Sequence, residues 1–464
     1  MQNNKIITAI SSPPGVGGIA LIRLSGEGAI ALVDTVFESP NKKKLIDQKA
    51  NTIHFGLIKN DDTILDEVLV SIFKAPHSFT GEESVEISCH GSIYIQQHIL
   101  QLLVDRGAFL AQPGEFTQRA FLNGKMDLSQ AESVADLIAS SSSSTHRLAM
   151  NQMRGGFSDE LRKVRTELLN FTSLIELELD FSEEDVVFAN REHLKNALEN
   201  IETHIRKLSD SFTLGNAVKN GIPVAIIGET NAGKSTLLNL LLHEEKAIVS
   251  DIHGTTRDVI EDVINIHGLS FRLIDTAGIR ETSDEIESIG IERTFKKIEQ
   301  ANIILWVIDV AMPEGHIVEL YEKILPLITH QQLVLVFNKM DKVACGSDLC
   351  THMDVLQEEV LNRVFISAKK EEGMDSLLNK IVEMANIPTI SEQDIIVTNV
   401  RHYESLQKAL ASIERVNEGL DLELSGDFLS QDIRECMYYL GEITGQISTD
   451  EILGNIFSKF CIGK

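Results

Sequence analysis

The residues most able to do chemistry are Gly228-Glu229-Thr230-Asn231-Ala232-Gly233-Lys234-Ser235, which read G-x-x-x-x-G-K-S. That spacing makes a phosphate-cradling loop: the glycines let backbone N–H groups approach phosphate oxygens, and the following helix N-terminus adds positive partial charge. Lys234 is expected on the β- and γ-phosphates and the Ser235 hydroxyl on Mg²⁺. The stretch from Asn231 through Ala232, Gly233, Lys234 and Ser235 to Thr236 is thus the predicted phosphate contact. The plainer reading is a chance glycine turn. The context opposes it, because an apolar run of strand length, 222–227, precedes the loop and a helical pattern, 236–242, follows it.

Four further elements fall downstream in the order a GTPase needs. In Ser250-Asp251-Ile252-His253-Gly254-Thr255-Thr256, Thr256 is placed as the switch threonine on Mg²⁺. Asp275-Thr276-Ala277-Gly278 ends a predicted strand; its aspartate suits the Mg²⁺ shell and Gly278 offers an N–H to the γ-phosphate. Asn338-Lys339-Met340-Asp341 follows an apolar strand. The Asp341 carboxylate suits the N1–H and 2-amino edge that guanine has and adenine lacks, and polar readout of that kind discriminates strongly. Ser367-Ala368-Lys369 is expected to support the base. Each element alone is weak; in this order, on strand ends, they predict a GTP-binding domain. Ile279 stands where Ras-type switches carry a glutamine that orients the attacking water. Isoleucine cannot do this. Hydrolysis is then very slow, or one of Glu281, Asp284, Glu285 and Glu287 serves, unless these four form only a solvated face.

The elements that must hold these loops form a mixed chain. Residues 221–386 alternate strands (222–227, 269–275, 302–309, 332–337, 363–367) with helices, which predicts a mostly parallel sheet covered on both faces. Residues 1–120 read as an α+β unit. There Gly15-Val16-Gly17-Gly18-Ile19-Ala20 matches a dinucleotide fingerprint in form only. Pro13-Pro14 interrupts the approach, and the residues after it run as a second strand, whereas the fingerprint must open a helix. Helical spacing fills 121–220 and returns over 387–464, so an α/β domain inserted into a helical one is the economical arrangement. The run from Ser140 to Ser144 fits either a helix interior or a short break.

Composition bounds the class. The 464 residues suffice for roughly three domains. Hydrophobic and charged fractions of 43 % and 24 % are those of a soluble globular protein, with no membrane-length apolar run and no signal-peptide layout. Five cysteines, Cys89, Cys345, Cys350, Cys436 and Cys461, include no C-x-x-C, which fits a reducing cytoplasm better than a disulfide or zinc framework. A net charge of −27 argues against an indiscriminate polyanion binder but leaves room for RNA at a local basic patch or through a basic partner protein.

Over its whole length the chain resembles the MnmE (TrmE) family of tRNA-modification GTPases. Ser78-Phe79-Thr80-Gly81-Glu82 and the stretch from Pro113 to Lys125, PGEFTQRAFLNGK, are similar to the family's N-terminal signatures, and Cys461-Ile462-Gly463-Lys464 to its C-x-G-K ending. The resemblance implies an N-terminal folate-binding and dimerising domain at 1–120. It also implies a helical domain at 121–220 and 387–464, and an inserted Ras-like P-loop GTPase domain at 221–386. It implies 5-formyltetrahydrofolate, or a related one-carbon tetrahydrofolate, held by Arg23, Glu86, Lys125 and Lys464. It implies K⁺ held by Asn231, Ser250, Ile252 and Thr255, and Glu287 as the carboxylate that positions the hydrolytic water. It marks Cys461 as a catalytic candidate against a merely accessible thiol. The implied partners are a second copy of the chain, the FAD- and NADH-dependent protein MnmG in a heterotetramer, and tRNA. The implied product is a carboxymethylaminomethyl or aminomethyl group on C5 of the wobble uridine. A ribosome-assembly GTPase, which shares the nucleotide motifs, and a GTP-dependent switch without modification chemistry remain the alternatives.

Overall fold

A computed structural model describes residues 5–180, 191–245, 262–274, 298–342, 362–388, 391, 394–422, 424–458 and 460–463. Two compact units emerge. One comprises Met1–Ala135, Gln152–Glu202 and Lys408–Lys464; the other comprises Asp136–Asn151 and Thr203–Gln407.

The first unit contains a seven-stranded sheet. Its strands are β1 (Ile7–Ile10), β2 (Gly17–Ser25), β3 (Phe37–Glu38), β4 (Thr52–Asn60), β5 (Thr63–Phe73), β6 (Ser84–Gly91) and β7 (Phe109–Leu110), in the order β3-β4-β5-β6-β2-β1-β7. β1 and β2 are antiparallel neighbours, so the glycine- and proline-rich stretch joins two strands and the dinucleotide reading falls. Only β1–β7 is a parallel pair. Side chains alternate across the sheet with period two. Val68, Val70 and Ile72 of β5 are buried with Ile99, Leu102 and Leu103 of the helix Ile93–Asp105. Leu69, between them, is exposed, as are Ile53 and Phe55 of β4 and Ile19 of β2. The register Phe55↔Leu69↔Ser88↔Leu21 carries this second face across four strands.

The helical part of the same unit packs Gly156–Asp180 on Gly426–Thr444. Buried Leu161, Val164, Leu168, Phe171 and Ile175 recur at alternating steps of three and four, and so do Leu429, Ile433, Cys436, Leu440 and Ile443. That is the seam of two helices crossing at a shallow angle.

The second unit is built on a six-stranded sheet. β8 (Ile222–Ile227), β9 (Asp262–Ile266), β10 (Leu269–Leu273), β11 (Ile303–Asp309), β12 (Gln332–Asn338) and β13 (Arg363–Phe365) lie in the order β13-β12-β11-β8-β10-β9. All neighbours are parallel except β9, which runs antiparallel to β10. Alternate residues of the central strands fill two cores. Val224, Ile226, Leu305 and Val307 join Leu237, Leu241, Leu377 and Ile381 on one face. Ala225, Ile227, Ile304 and Trp306 join Ile317 on the other. Helices on both faces explain why these strands are apolar throughout.

β9 was not expected. A two-residue turn, His267-Gly268, with φ of 51° and 83°, closes it on β10. Positive φ at both central residues matches the strand twist, as in a type I′ turn. The turn packs on the serine run, which is a break between the helices Leu128–Ala139 and Ser143–Met153. Ser142 Oγ accepts the Thr145 N–H (3.2 Å) while Thr145 Oγ1 accepts the Ser142 N–H (3.0 Å), capping the second helix. Ser144 N–H donates to Gly268 O (3.3 Å) and Asn265 Nδ2 to Ser141 O (3.2 Å). A Cβ on Gly268 would lie 2.3 Å from Ser143 Oγ.

Candidate nucleotide and folate sites

The phosphate loop joins β8 to the helix Lys234–Glu245. Its glycines are required by shape: Gly228 has φ 143° and a Cβ there would lie 2.3 Å from Val307 O; Gly233 has φ 102° and a Cβ would lie 2.2 Å from Asn338 Nδ2. Asn231, at φ 64°, takes the left-handed conformation that asparagine tolerates. Lys234 Nζ donates to Gly228 O (2.7 Å) and Glu229 O (2.6 Å), so its charge sits over the loop that phosphates would enter. Ser235 and Thr236 occupy the first turn of the helix.

Asn338, the last residue of β12, is 2 % exposed. Its Nδ2 donates to Ala232 O (2.9 Å) and its Oδ1 accepts the Ala368 N–H (3.0 Å). One carboxamide thus ties the phosphate loop to the Ser367-Ala368-Lys369 loop. Lys339, at φ 69°, donates to Asn231 O (2.5 Å) and pairs with Asp309 Oδ2 (2.6 Å). Burial pushes the Asp309 carboxyl up, but the Lys339 hydrogen bond, the Ala311 N–H and the nearby lysine charges outweigh it and hold it below the usual range. Asp309 was missed at the sequence level; its signal was a carboxylate closing β11 in register with Asn338. The Asp341 carboxylate accepts from Ser367 Oγ (2.7 Å), and this bond holds its pKa below the ordinary aspartate value against a smaller opposing desolvation. The phosphate loop, Asn338, Lys339, Asp341 and the 367–369 loop therefore converge at the carboxyl ends of β8, β12 and β13, where open α/β sheets bind ligands. Ser250 to Thr256, Asp275 to Gly278 and Glu287 lie outside the described residues.

In the first unit, Arg23 and Glu86 meet as a cross-strand pair, with Arg23 Nη2 and Nε donating to Glu86 Oε1 (2.7 and 3.0 Å). The Arg23 guanidinium lies 5.6 Å from the Phe79 ring centroid and 5.7 Å from that of Phe116. Lys125, just past the helix Glu115–Leu122, packs against the loop that carries Phe79. Its Nζ donates to Pro76 O (3.0 Å), and its chain lies against Gly81. The C-terminal stretch docks on the same unit: Gly114 N–H donates to Cys461 O (3.3 Å), and Ser11 Oγ donates to Gly463 O (2.9 Å). Gly463, at φ 95°, has no room for a side chain, since a Cβ would meet Ile10 O at 2.5 Å. Cys461 is exposed, and Lys464 lies outside the described residues. Among the described residues no cluster of three or more His, Cys, Asp or Glu side chains could hold a metal, and no helix is long and apolar enough to cross a membrane.

Comparison with known proteins extends these observations to the whole chain. Residues 6–125 match the N-terminus of the GTP-binding protein TrmE, and residues 128–461 match the MnmE helical domain. The tRNA modification GTPase MnmE of Bacteroides thetaiotaomicron is 58 % identical over 466 aligned positions, covering 100 % of both chains.

The chain belongs to the MnmE family.

The likeness holds beyond one genus. MnmE of Parabacteroides distasonis is 57 % identical over 99 % of each chain, and that of Flavobacterium johnsoniae 52 % over 100 % of each. The family is one of tRNA-modification GTPases, and this member is a GTPase. The TrmE N-terminal match contains Arg23, Glu86 and Lys125, and the helical-domain match runs to Cys461.

Proposed function

We propose that this chain is a K⁺-dependent GTPase that works as a homodimer with the flavoprotein MnmG in the cytoplasm. Together they place a carboxymethylaminomethyl or aminomethyl group on C5 of the wobble uridine of certain tRNAs, using a one-carbon unit from a formyltetrahydrofolate. The observation that carries this reading is the Arg23–Glu86 pair flanked by Phe79 and Phe116, in the same unit as the docked Cys461–Gly463 stretch. A carboxylate and a guanidinium beside aromatic rings suit the amino edge and flat face of a pterin, and cations suit glutamyl carboxylates. We assign Arg23, Glu86, Lys125 and Lys464 to that ligand. Cys461, exposed on the docked C-terminal stretch, is the candidate for the modification chemistry.

The described donors fit the ions as well. Mg²⁺ and K⁺ are hard cations that take oxygen ligands. The Ser235 hydroxyl lies in the first turn of its helix and is assigned to Mg²⁺, with Thr256 as the second Mg²⁺ residue. The Asn231 side chain is exposed and makes no hydrogen bond among the described residues, leaving its carbonyl for K⁺. Ser250, Ile252 and Thr255 complete that set. Bound there, K⁺ supplies the positive charge that an arginine finger brings elsewhere. Lys234 orients the phosphates, Asp341 selects guanine, and Glu287 positions water. The exposed apolar face with Ile19, Ile53, Phe55 and Leu69 supports dimerisation through the N-terminal sheet, because apolar faces of this kind mark interaction sites. We divide the chain functionally into a folate and dimerisation domain at 1–120, a helical domain at 121–220 and 387–464, and a GTPase domain at 221–386.

The test is mass spectrometry of tRNA nucleosides from cells whose only copy carries Glu287→Ala, with expression matched. The reading expects wobble uridines to be under-modified although GTP still binds. Full modification would show that hydrolysis is dispensable.

A further inference from the structure

The connection between β3 and β4 carries the only run of three basic residues in the chain, Lys42-Lys43-Lys44, with Lys49 following. All four are exposed, and their ammonium groups make no ion pair or hydrogen bond among the described residues. In a protein with a net charge of −27, this is an exception. Elsewhere several lysines are neutralised locally, as in Lys163–Glu160, Lys195–Asp421, Lys219–Asp136 and Lys323–Glu319.

The loop is also held in place. Leu45 is buried in the core of the N-terminal sheet. Asp34 accepts the N–H groups of Leu45 (2.6 Å) and Ile46 (2.9 Å) with its two oxygens, so its own charge is turned inward. Lys42 N–H closes a turn on Ser39 O (2.9 Å), and Gln48 N–H closes another on Leu45 O (3.0 Å). Lys74 reaches across from the end of β5 to Ile46 O (3.3 Å) and adds a fifth cation. Glu38 is engaged by Lys59, which leaves Asp47 as the exposed acid within the loop. Anchoring removes much of the ordering cost a flexible lysine tail would incur on binding.

We propose that this anchored lysine loop, with Lys74, is a docking surface for the phosphate backbone of tRNA. The proposal rests on the reading of tRNA as substrate and names where its backbone is held. Compact ammonium groups on an exposed, sequence-independent patch suit phosphates rather than base edges. Repulsion by the rest of the acidic surface would confine an RNA to this face.

The test measures binding of unmodified tRNA to the full-length protein across a salt series. Wild type is compared with a Lys42→Gln/Lys43→Gln/Lys44→Gln triple variant and with the single Lys43→Glu. A second triple, Lys163→Gln/Lys195→Gln/Lys323→Gln, controls for net charge. GTP turnover and thermal melting verify that each variant folds. Loss of three phosphate contacts should lower the slope of log K against log salt by about 2 to 3 and weaken binding about tenfold or more at low salt. The control triple should leave the slope unchanged. A slope unaltered in the loop variants, with wild type binding tRNA normally, would overturn the proposal and leave the substrate reading intact. So would loss of association with a protein partner while tRNA binding persists. If wild type bound no tRNA, the substrate reading itself would fall, and this proposal with it.

Discussion

Gly233 and Asn338 leave no space between them: a single Cβ on the glycine would lie 2.2 Å from the asparagine Nδ2. The same nitrogen donates to Ala232 O, so the phosphate loop and the end of β12 are fitted directly to one another. Preorganised loops of this kind lower the ordering cost of binding. Gly233→Ala must therefore displace one loop or the other, and its φ of 102° adds backbone strain. GTP affinity measured by calorimetry should fall by at least about tenfold, since 1.4 kcal/mol suffices for that factor.

Asn338→Ala should act through both loops at once. It strips partners from Ala232 O and from the Ala368 N–H, in a place that is 2 % exposed at Asn338 itself. Each unsatisfied buried group costs about 1–3 kcal/mol. Melting of the nucleotide-free protein should fall by several degrees, and GTP affinity should fall with it. An unchanged melting temperature would show that the two loops hold themselves.

Guanine selection should rest on Asp341. Asp341→Asn reverses donor and acceptor, so GTP should bind about 10²–10⁴-fold more weakly, the worth of two hydrogen bonds to a charged group, while xanthosine triphosphate should gain. The Ser367 hydrogen bond keeps the carboxyl below the ordinary aspartate range. The ionised form that guanine needs is therefore present at and above that range and is lost only as pH falls through the lowered value. Affinity should be flat from neutral pH down through the usual carboxylate range. Ser367→Ala should move the onset of the loss to higher pH, and an identical onset in the variant would separate the two residues.

Turnover should be faster in K⁺ than in Na⁺ by about tenfold or more at matched ionic strength, since a charge supplied at an arginine-finger position is worth at least that. An oxygen cage sized for the larger ion accounts for the preference. Asn231→Ala should abolish the difference while retaining GTP binding. Equal rates in the two salts for wild type would remove K⁺ from the scheme.

Folate binding should depend on Arg23 in a way that lysine does not rescue. Arg23→Ala should weaken 5-formyltetrahydrofolate by about 10–100-fold, the scale of a charged hydrogen bond. Arg23→Lys should recover little, because a point charge replaces a planar fork that spans Glu86 and two rings. Calorimetry on the full-length protein decides it, and recovery by lysine would reassign Arg23 to a simple charge role.

Much of this architecture is legible in the sequence, for physical reasons that differ by region. β8, β11 and β12 are buried on both faces and read as unbroken apolar runs, so they stand out with their loops. β9 does not. Asp262-Val263-Ile264-Asn265-Ile266 is a half-buried edge strand, and only the His267-Gly268 turn betrays it. The Arg23–Glu86 pair was reachable only through family resemblance, because cross-strand register decides it and no local pattern encodes register. Asp309 escaped for the opposite reason: its role comes from a lysine just past the end of the next strand, which composition does not announce. The serine run was ambiguous because serine is equally at home in caps, and here Ser142 is one.

The tight seat of the β9–β10 turn on that serine run has a consequence for how the molecule is read from outside. The hairpin is the covalent bridge between the two stretches expected to carry the switches, 250–258 and 275–290, and its tip is tied to the serine run by the Ser144 N–H and Ser141 O hydrogen bonds. A tip so tied is a gauge. An environment-sensitive fluorophore on a cysteine introduced at the exposed Ser141 would register nucleotide exchange without touching the nucleotide. At residue 268 it is the backbone, at φ 83°, that favours glycine, as it does at Gly233 in the phosphate loop.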